Sequence, residues 1–287
     1  MTRLRLIIKI ISVYFVRLNF NINSGEFKKI YKNGLVYFFN DTLSNEISIF
    51  GIYEKEQLNK IINVMADRKK RYCIDVGANI GNHSLFFSQF FKKVFSFEAH
   101  PKIFKVLKIN TSKSSNIKIY NTGLSDKKNF LYFSDFQTQN MAGHSLEKKG
   151  NIKVKINKLD NIIKIRNKID FVKIDTEGHE YQVLIGMKKI LKTNNPTIML
   201  EFDAKKFEKN NKIIKFLTSL NYKYFYFFDE DFNYHNFRMR NLIFLIIKIL
   251  FFGLKNNTHL KKIEDFKNQK NYYPDTFVCA KENLLNN

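Results

Sequence analysis

A chain of 287 residues can form one large domain with a substantial buried core, and its two distant cysteines, Cys73 and Cys279, argue against a disulfide framework or a cysteine-based metal site. Its 49 Lys and Arg against 26 Asp and Glu give a formal net charge of +23, which favours anionic partners such as nucleic acid, anionic lipid, or acidic and nucleotide-linked glycans. The lysines are scattered among Asn and Ile rather than grouped in blocks, so a solvated surface explains them equally well.

The first 52 residues are predicted to be a basic and apolar extension of a main domain at residues 53–287. The apolar stretch Leu6–Val16 is interrupted by Lys9 and is followed by no small-residue cleavage site, so a cleaved signal peptide is not expected. Gly34–Asn40 is typical of a strand. Tyr53–Met65, at the start of the main domain, has apolar residues at helical spacing.

The stretch Tyr72–Asn82 begins with an apolar run, which is followed by an acid, small residues and a helical apolar pattern. This order predicts a strand, a tight turn and a helix. Gly77 and Gly81 allow the backbone to turn sharply or a ligand to lie against it. We expect the helix to present bare N–H groups to that ligand. The spacing matches neither the dinucleotide fingerprint nor the phosphate-binding loop, and it leaves the pattern Asp-x-Gly-x-Asn-x-Gly.

From this point strands alternate with helices, which predicts an α/β fold with a doubly wound, mostly parallel seven-stranded sheet whose core spans residues 71–204. The predicted strands are the one that ends at Asp75, then Val94–Phe97, Ile117–Tyr120, Ile169–Ile174, Pro196–Phe202, Tyr222–Phe228 and Thr276–Ala280. The predicted helices are Pro101–Asn110, Tyr181–Leu191 and Ile213–Leu220. A loop at Asn121–Asp126 and two short strands, Phe130–Phe133 and Ile152–Ile156, lie between the third and fourth core strands.

A helical insertion is predicted at residues 229–275, and it contains the apolar stretch Leu242–Leu254. These 13 residues are too few for a spanning helix, and Lys248 interrupts them. A buried helix is the first interpretation. The second is an interfacial helix whose flanking basic residues contact anionic headgroups at the inner face of the membrane.

An acid stands at the end of four predicted core strands, namely Asp75, Glu98, Asp175 and Glu201. Because ligands of open parallel sheets bind beyond the carboxyl ends of the strands, these acids predict one negatively charged rim. Such a rim suits a cationic ligand or a divalent metal ion with oxygen ligands. Lys173 lies on the same face of its strand as Asp175, and a buried lysine needs a carboxylate partner, for which Asp175 or Glu201 is expected.

Three motifs follow one another at specific spacings. They are Asp75-Val76-Gly77-Ala78-Asn79-Ile80-Gly81-Asn82, Phe97-Glu98-Ala99-His100-Pro101 and Lys173-Ile174-Asp175-Thr176-Glu177-Gly178-His179-Glu180. Together they resemble the FkbM family of class I S-adenosylmethionine-dependent methyltransferases, over Tyr53–Phe202. The resemblance implies a Rossmann-like methyltransferase fold, S-adenosylmethionine as cofactor, and cofactor contacts from Asp75, Gly77, Ala78, Asn79, Gly81, Glu98 and Leu124. No residue is assigned to a metal, and a requirement for a divalent metal is left open.

The resemblance also implies an O-methyltransferase that acts on a hydroxyl of a sugar, a glycan or a small natural product, with surface-polysaccharide biosynthesis as an attractive context. Methyl transfer to oxygen needs an aligned acceptor and a base. Asp175 is the candidate for orienting the acceptor, and Glu177 and His179 are the candidate bases. Each base has a simpler alternative, because Glu177 could favour the N-terminus of the next helix and His179 could be a surface residue.

Two other functions stay open from the sequence. The charge of +23 suggests an RNA methyltransferase, but there is no separate RNA-binding module and no Asn-Pro-Pro-Tyr motif after the fourth strand, so no nucleic-acid partner is expected. The basic extension and Leu242–Leu254 suggest a non-catalytic, membrane-associated binding protein, against which the intact acidic rim argues. We therefore expect a cytoplasmic enzyme with a small-molecule or glycan substrate and peripheral contact with an anionic membrane as an additional partner.

Overall fold

The structure is a computed structural model. It describes residues 51–133, 146, 147, 149–164, 168–201, 207–230, 258–263 and 276–285, with positions 7, 8, 11, 30–32, 35–37, 43 and 47 before them. The apolar stretch Leu242–Leu254 lies outside the described residues. Among the helices in the described part of the chain, none is both long and apolar enough to cross a membrane.

Strands and helices alternate through the described residues. The helices are α1 (Lys55–Val64), α2 (Asn82–Ser88), α3 (Pro101–Thr111), α4 (Leu159–Ile162), α5 (Glu180–Gly186), α6 (Lys188–Asn194) and α7 (Phe207–Ser219). The strands are β1 (Ile30–Lys32), β2 (Leu35–Tyr37), β3 (Tyr72–Val76), β4 (Lys93–Phe97), β5 (Ile117–Tyr120), β6 (Gly123–Leu124), β7 (Asn129–Phe133), β8 (Ile152–Asn157), β9 (Ile169–Ile174), β10 (Thr197–Glu201), β11 (Tyr224–Glu230), β12 (Thr258–Lys262) and β13 (Thr276–Ala280). All seven predicted core strands are present, with ends shifted by at most two residues.

The large sheet has the strand order β12-β11-β13-β10-β9-β3-β4-β5. The strands from β10 to β5 are parallel, whereas β13 runs antiparallel between β10 and β11. Alternate residues of β3 enter different core clusters, Cys73 on one face and Ile74 on the other, so the strand is buried on both sides. The predicted α/β fold with a doubly wound, mostly parallel sheet is therefore confirmed.

The large sheet has eight strands rather than the predicted seven. The additional strand, β12, pairs antiparallel with β11 at the edge of the sheet. It lies within residues 229–275, where a helical insertion was predicted, and Asp229 and Glu230 of that segment are also in a strand. Leu260 is the one buried residue in β12, so this polar edge strand has no alternating apolar pattern by which to recognise it.

Two local predictions are wrong. The helix predicted at Tyr181–Leu191 is divided at Met187 into α5 and α6. Gly186 at the end of α5 lies so close to the chain after β6 that an added Cβ would be 1.9 Å from Ser125 O. The predicted loop Asn121–Asp126 contains β6, which belongs to a second sheet with the order β6-β8-β7.

The hairpin of β1 and β2, in the N-terminal extension, docks on α3. Asn110 of α3 accepts a hydrogen bond from Val36 N–H (2.7 Å) and donates to Val36 O (2.8 Å) and Ile80 O (2.7 Å). Leu35 and Ile47 share a buried cluster with Ile80. Residues of the extension and of the main domain therefore share a core, while the domain boundary itself stays a prediction.

Candidate active site

The carboxyl ends of β4, β3, β9 and β10 meet at one edge of the large sheet. Asp75 lies near the end of β3, Glu98 follows β4, Asp175 follows β9 and Glu201 ends β10. Asp75 and Glu98 are buried, whereas Asp175 and Glu201 are partly exposed. The structure thus brings the four predicted acids to one edge of the sheet, in two different environments.

The N–H groups of the turn between β3 and α2, from Gly77 to Gly81, have acceptors within the protein. Each of five consecutive N–H groups donates to a protein acceptor. The pairs are Gly77 to Phe97 O (3.0 Å), Ala78 to Phe97 O (2.9 Å), Asn79 to Glu98 Oε2 (2.9 Å), Ile80 to Asn79 Oδ1 (2.8 Å) and Gly81 to Ala78 O (2.9 Å). A phosphate cradle needs outward-pointing N–H groups, so this turn does not form one.

Gly77 and Gly81 allow the turn through their left-handed backbone conformations, with φ of +74° and +94°. An added Cβ at Gly77 would be 1.7 Å from Asp175 O, so the turn after β3 touches the end of β9. An added Cβ at Gly81 would be 2.8 Å from Leu107 Cδ1, the end of a flexible side chain. The close approach predicted at Gly77 is therefore made by the protein's own backbone.

Glu98 is held at the tip of β4 by two backbone amides. Asn79 N–H donates to Oε2 (2.9 Å), and His100 N–H donates to Oε1 (2.7 Å). Burial raises the pKa of Glu98 to about 7, although the two amides and the charge of Lys173 act to lower it. Each carboxylate oxygen can accept a second hydrogen bond. The geometry therefore suits two adjacent hydroxyl donors, such as those of a ribose.

Asp75 is completely buried, and its contacts are with other side chains of the protein. Ser84 Oγ donates to Asp75 Oδ2 (2.6 Å), and the hydroxyls of Ser84 and Ser96 are 2.7 Å apart. Asp75 Oδ1 lies 3.8 Å from Lys173 Nζ. Asp75 thereby ties β3, β4 and the start of α2 together beneath the turn.

Lys173 has the carboxylate partner that its burial requires. Its Nζ lies 3.0 Å from Asp175 Oδ2 and 3.8 Å from Asp75 Oδ1, and it donates to Gly77 O (3.4 Å). Burial would lower the pKa of Lys173, but the carboxylates of Asp175 and Asp75 raise it above its ordinary value. Asp175 is thus confirmed as a partner, and the second carboxylate is Asp75 rather than Glu201.

Asp175, Glu177 and Glu201 form a carboxylate cluster in which one oxygen of each lies within 4.8 Å of the others. Burial would raise the pKa of Asp175, but Lys173 and a hydrogen bond with Glu201 hold it below its ordinary value. Burial and the charges of Asp175 and Glu177 raise the pKa of Glu201 to about 10. The raised pKa favours the protonated form of Glu201, which can donate a hydrogen bond to Asp175. Among the described residues, this is the one group of three or more His, Cys, Asp or Glu side chains spaced closely enough to hold a metal ion.

The loop between β9 and α5 is fixed by Glu180. Its Oε1 accepts hydrogen bonds from Thr176 N–H (3.3 Å), Thr176 Oγ1 (3.0 Å) and Gly178 N–H (2.8 Å). Glu177 in this loop has φ of +50°, which is uncommon for a residue with a side chain. Glu180 is thus the carboxylate that supports the start of α5, whereas Glu177 belongs to the cluster with Asp175. Residues with an uncommon backbone conformation, such as Glu177, concentrate at functional sites.

His179 precedes α5 and is hydrogen-bonded to the chain after β6. Its Nε2 lies 2.9 Å from Ser125 Oγ, and Ser125 Oγ donates to Asp126 Oδ1 (3.1 Å). The tautomer of His179 decides which of the two groups is the donor in this contact. Leu124, a predicted cofactor residue, directly precedes Ser125 and is buried in the main core. The sequence did not reveal this histidine–serine contact.

The sequence also did not reveal a pair formed by Glu54 and His83, whose Oε2 and Nε2 are 3.2 Å apart. Tyr53 N–H donates to Asn82 Oδ1 (3.1 Å), and Asn82 Nδ2 donates to Tyr53 O (3.2 Å), so the two chain segments are clamped together. The charge of Glu54 contributes to the raised pKa of Lys173. The Tyr53-Glu54 dipeptide, which precedes the first core strand, is the sequence feature that could have indicated this pair.

A family model described as the methyltransferase FkbM domain matches residues 75–224, which is more than half of the chain and includes every predicted site residue. The chain belongs to the FkbM methyltransferase family. The resemblance that the three motifs indicated is thereby confirmed.

Individual relatives of this FkbM-family chain cover it only in part. It is 31% identical over 128 residues to the hexuronic acid methyltransferase AglP of Haloferax volcanii, and it spans about half of that relative, since the match covers 44% of this chain and 53% of AglP. The FkbM methyltransferase structure from Methylobacillus flagellatus is similar over 53% of this chain and 36% of that one, with 17% identity and a TM-score of 0.37. Aeropyrum pernix fibrillarin, solved with bound S-adenosyl-L-methionine, is similar over 54% of this chain and 59% of that one, with 9% identity and a TM-score of 0.37.

Proposed function

We propose that this FkbM-family chain is an S-adenosylmethionine-dependent O-methyltransferase that acts on a hydroxyl group of a glycan. The observation that carries the proposal is the polarity of the rim. Every N–H group from Gly77 to Gly81 has a protein acceptor, while carboxylates stand at the surrounding strand ends. Such a rim suits a ligand that is positively charged and donates hydrogen bonds, and it does not suit a polyphosphate. S-adenosylmethionine has a sulfonium, an ammonium and two ribose hydroxyls.

The residues that would hold the cofactor come from three segments of the chain. Glu98 would accept hydrogen bonds from the ribose hydroxyls. The main chain of the Gly77–Gly81 turn would lie against the cofactor. Leu124 of β6 would contact the cofactor. Asp75, which is buried beneath the turn, would hold the turn in place. When bound, S-adenosylmethionine supplies an electrophilic methyl group.

Asp175 would orient the acceptor by accepting a hydrogen bond from its hydroxyl, and a base would then take the hydroxyl proton. We assign the role of base to His179, because its contact with Ser125 fixes the imidazole in the loop between β9 and α5 that also carries Asp175. We expect His179→Gln to lower kcat by about 100-fold or more and Glu177→Gln to lower it by less than about tenfold. Initial rates at saturating substrate measure both effects, and the reverse order would give the base role to Glu177.

A hexuronic acid is the acceptor class that we propose. AglP is named for such a substrate, and the net charge of +23 favours anionic glycans. The test is incubation with methyl-labelled S-adenosylmethionine and a panel of hexuronate-containing oligosaccharides, neutral oligosaccharides and RNA, followed by mass spectrometry. We expect the label on a hydroxyl of a hexuronate, at a much lower rate in Asp175→Asn and at the wild-type rate in the matched surface variant Asp67→Asn.

Other outcomes of this panel point to the alternatives. Label on RNA would favour an RNA methyltransferase, for which the charge of +23 is the supporting feature. Retained cofactor binding without transfer to any acceptor would favour a non-catalytic binding protein. We propose a cytoplasmic location and a context in surface-polysaccharide biosynthesis, because the net charge of +23 suits nucleotide-linked and anionic glycans.

The same assay tests the need for a metal. Asp175, Glu177 and Glu201 are spaced to share a cation, but the ammonium of Lys173, 3.0 Å from Asp175 Oδ2, already offsets part of the negative charge of this cluster. We therefore expect the rate to be unchanged by EDTA. A loss of activity with EDTA that added Mg²⁺ restores would show that a divalent metal is required.

A further inference from the structure

The ammonium of Lys173 contacts both halves of the candidate site. On the side of the acceptor, Nζ lies 3.0 Å from Asp175 Oδ2. On the side of the cofactor, it donates to Gly77 O (3.4 Å) and lies 3.8 Å from Asp75 Oδ1. The two backbones are also joined directly, because Asp175 N–H donates to Val76 O (3.0 Å).

The distances show which carboxylate Lys173 holds more firmly. Neutralisation of the completely buried Asp75 would by itself explain a buried lysine. However, Nζ is 0.8 Å closer to Asp175 (3.0 Å against 3.8 Å), although the Asp175 side chain is 36% exposed and Asp75 is 0% exposed. The shorter contact therefore restricts where the partly exposed Asp175 carboxylate can lie.

We propose that Lys173 is a positioning residue for methyl transfer, whose ammonium holds the Asp175 carboxylate in one place relative to the cofactor turn. The inference rests on the proposed function, because it takes Asp175 as the residue that orients the acceptor. Lys173 itself has only 4% of its surface exposed, so it acts through Asp175 rather than by touching the acceptor.

The principal test is a double-mutant cycle with Lys173→Met and Asp175→Asn. Lys173→Met should lower kcat/KM for the acceptor by about 100-fold, since displacement of a positioning group by about 1 Å has this effect. In the Asp175→Asn background, Lys173→Met should lower kcat/KM by less than about threefold, because the carboxylate that Lys173 holds is already replaced. Calorimetry with S-adenosylhomocysteine should give dissociation constants within about threefold of wild type. Equal losses in both backgrounds, or no loss in either, would overturn the proposal.

A matched control comes from the other end of the same strand. Arg71 donates to both carboxylate oxygens of Asp170 in β9, at 3.0 Å and 2.7 Å, far from the rim. Arg71→Met also removes a cation from an ion pair on β9, and it should leave kcat/KM unchanged. If Lys173→Met fails to fold because Asp75 is left uncompensated, Lys173→Met with Asp75→Asn removes both buried charges and should show the same loss of kcat/KM.

Chemical rescue separates a missing ammonium from a damaged core. In Lys173→Ala, added ethylammonium should restore part of the lost rate, whereas tetramethylammonium, which has no N–H donor, should not. Equal effects of the two ions would count against a positioning role for the lysine ammonium.

A crystal structure of Lys173→Met with S-adenosylhomocysteine provides an answer that does not depend on turnover. The Asp175 carboxylate should move by more than about 1 Å from its wild-type position, and an unmoved carboxylate would refute the proposal. If the carboxylate moves while the wild-type protein methylates none of the acceptors, the proposed function fails and the positioning of Asp175 by Lys173 still holds.

Discussion

The Glu98 carboxyl is almost completely enclosed, and it nevertheless accepts hydrogen bonds from two backbone amides. Burial disfavours its ionised form and brings its pKa to about 7. Ribose hydroxyls donate hydrogen bonds, so they favour the ionised form of Glu98. Binding of the proposed cofactor must therefore compete with protonation of this one residue near neutral pH.

The affinity for S-adenosylmethionine should consequently depend on pH. Glu98 is mostly ionised above its pKa of about 7 and mostly protonated below it. We expect the dissociation constant to rise about tenfold when the pH is lowered from about 8 to about 6. Calorimetry across this range gives the measurement. Glu98→Gln should bind more weakly and without this pH dependence, and a wild-type affinity that does not change with pH would contradict the assignment.

The two glycines of the turn should differ in their tolerance of a methyl group. Gly81→Ala should cost about 1–2 kcal/mol of unfolding free energy, because its φ is left-handed and the neighbouring Leu107 side chain can move. Gly77→Ala should cost more and abolish cofactor binding, because the methyl group would meet the backbone of Asp175. Chemical denaturation and calorimetry test both variants. Equal losses of stability would show that the contact between the turn and β9 can relax.

Residue contacts were predictable from the sequence where the partners are close along one strand. Lys173 and Asp175 lie two residues apart on one strand face, so their pairing followed from strand geometry. The contact of His179 with Ser125 joins two distant segments, and no local pattern indicates it. For the same reason the acceptors of the turn after β3 were not predictable, since Phe97 O, which accepts hydrogen bonds from Gly77 and Ala78, belongs to a neighbouring strand.

At the scale of elements, the parallel strands were predictable because they are apolar runs buried on both faces. The edge strand β12 was not, because four of its five residues are exposed or partly exposed. The division between α5 and α6 was missed because the apolar spacing continues through Met187. Its cause is the close contact of Gly186 with the chain at Ser125, which is visible only in three dimensions.

The hairpin of β1 and β2 depends on one side chain of α3. Asn110→Ala would leave the N–H and carbonyl of Val36 and the carbonyl of Ile80 without their partner. We expect a loss of about 2–4 kcal/mol in the free energy of unfolding and faster hydrogen exchange at Val36. Ser112→Ala, at an exposed position beside the same helix, is the control and should change neither quantity. An unchanged exchange rate at Val36 in Asn110→Ala would contradict the prediction.

At the scale of the whole molecule, charge differs between the two ends of the sheet. The acids lie at the carboxyl ends of the parallel strands. Lysines occupy the opposite edge, where β3, β4, β9 and β11 begin and β13 ends. These lysines are Lys69, Lys70, Lys92, Lys168, Lys223 and Lys281. An anionic membrane bound at this edge would leave the acidic rim facing away from the bilayer and open to a dissolved acceptor.

We propose that this lysine edge makes the peripheral membrane contact. Vesicles with anionic lipid should bind the protein in flotation assays, and neutral vesicles should not. Charge reversal at Lys69, Lys92 and Lys168 should weaken binding by at least about 100-fold, since each lysine near the surface contributes about 1 kcal/mol. The matched control reverses the exposed helical lysines Lys105, Lys212 and Lys215 and so makes the same change in net charge. Equal binding by the two triple variants would rule out this edge as the docking face.

The antiparallel strand β13 has a consequence for synthesis of the protein. It lies between β10 and β11 and pairs with both, although about 45 residues separate its start from the end of β11. Because β10 and β11 pair with β13 and not with each other, the sheet cannot be completed until residue 280 has left the ribosome. The edge of β10 that faces β13 then has no native strand partner during translation of residues 231–275, and a chaperone that shields open strand edges should bind the nascent chain at this stage.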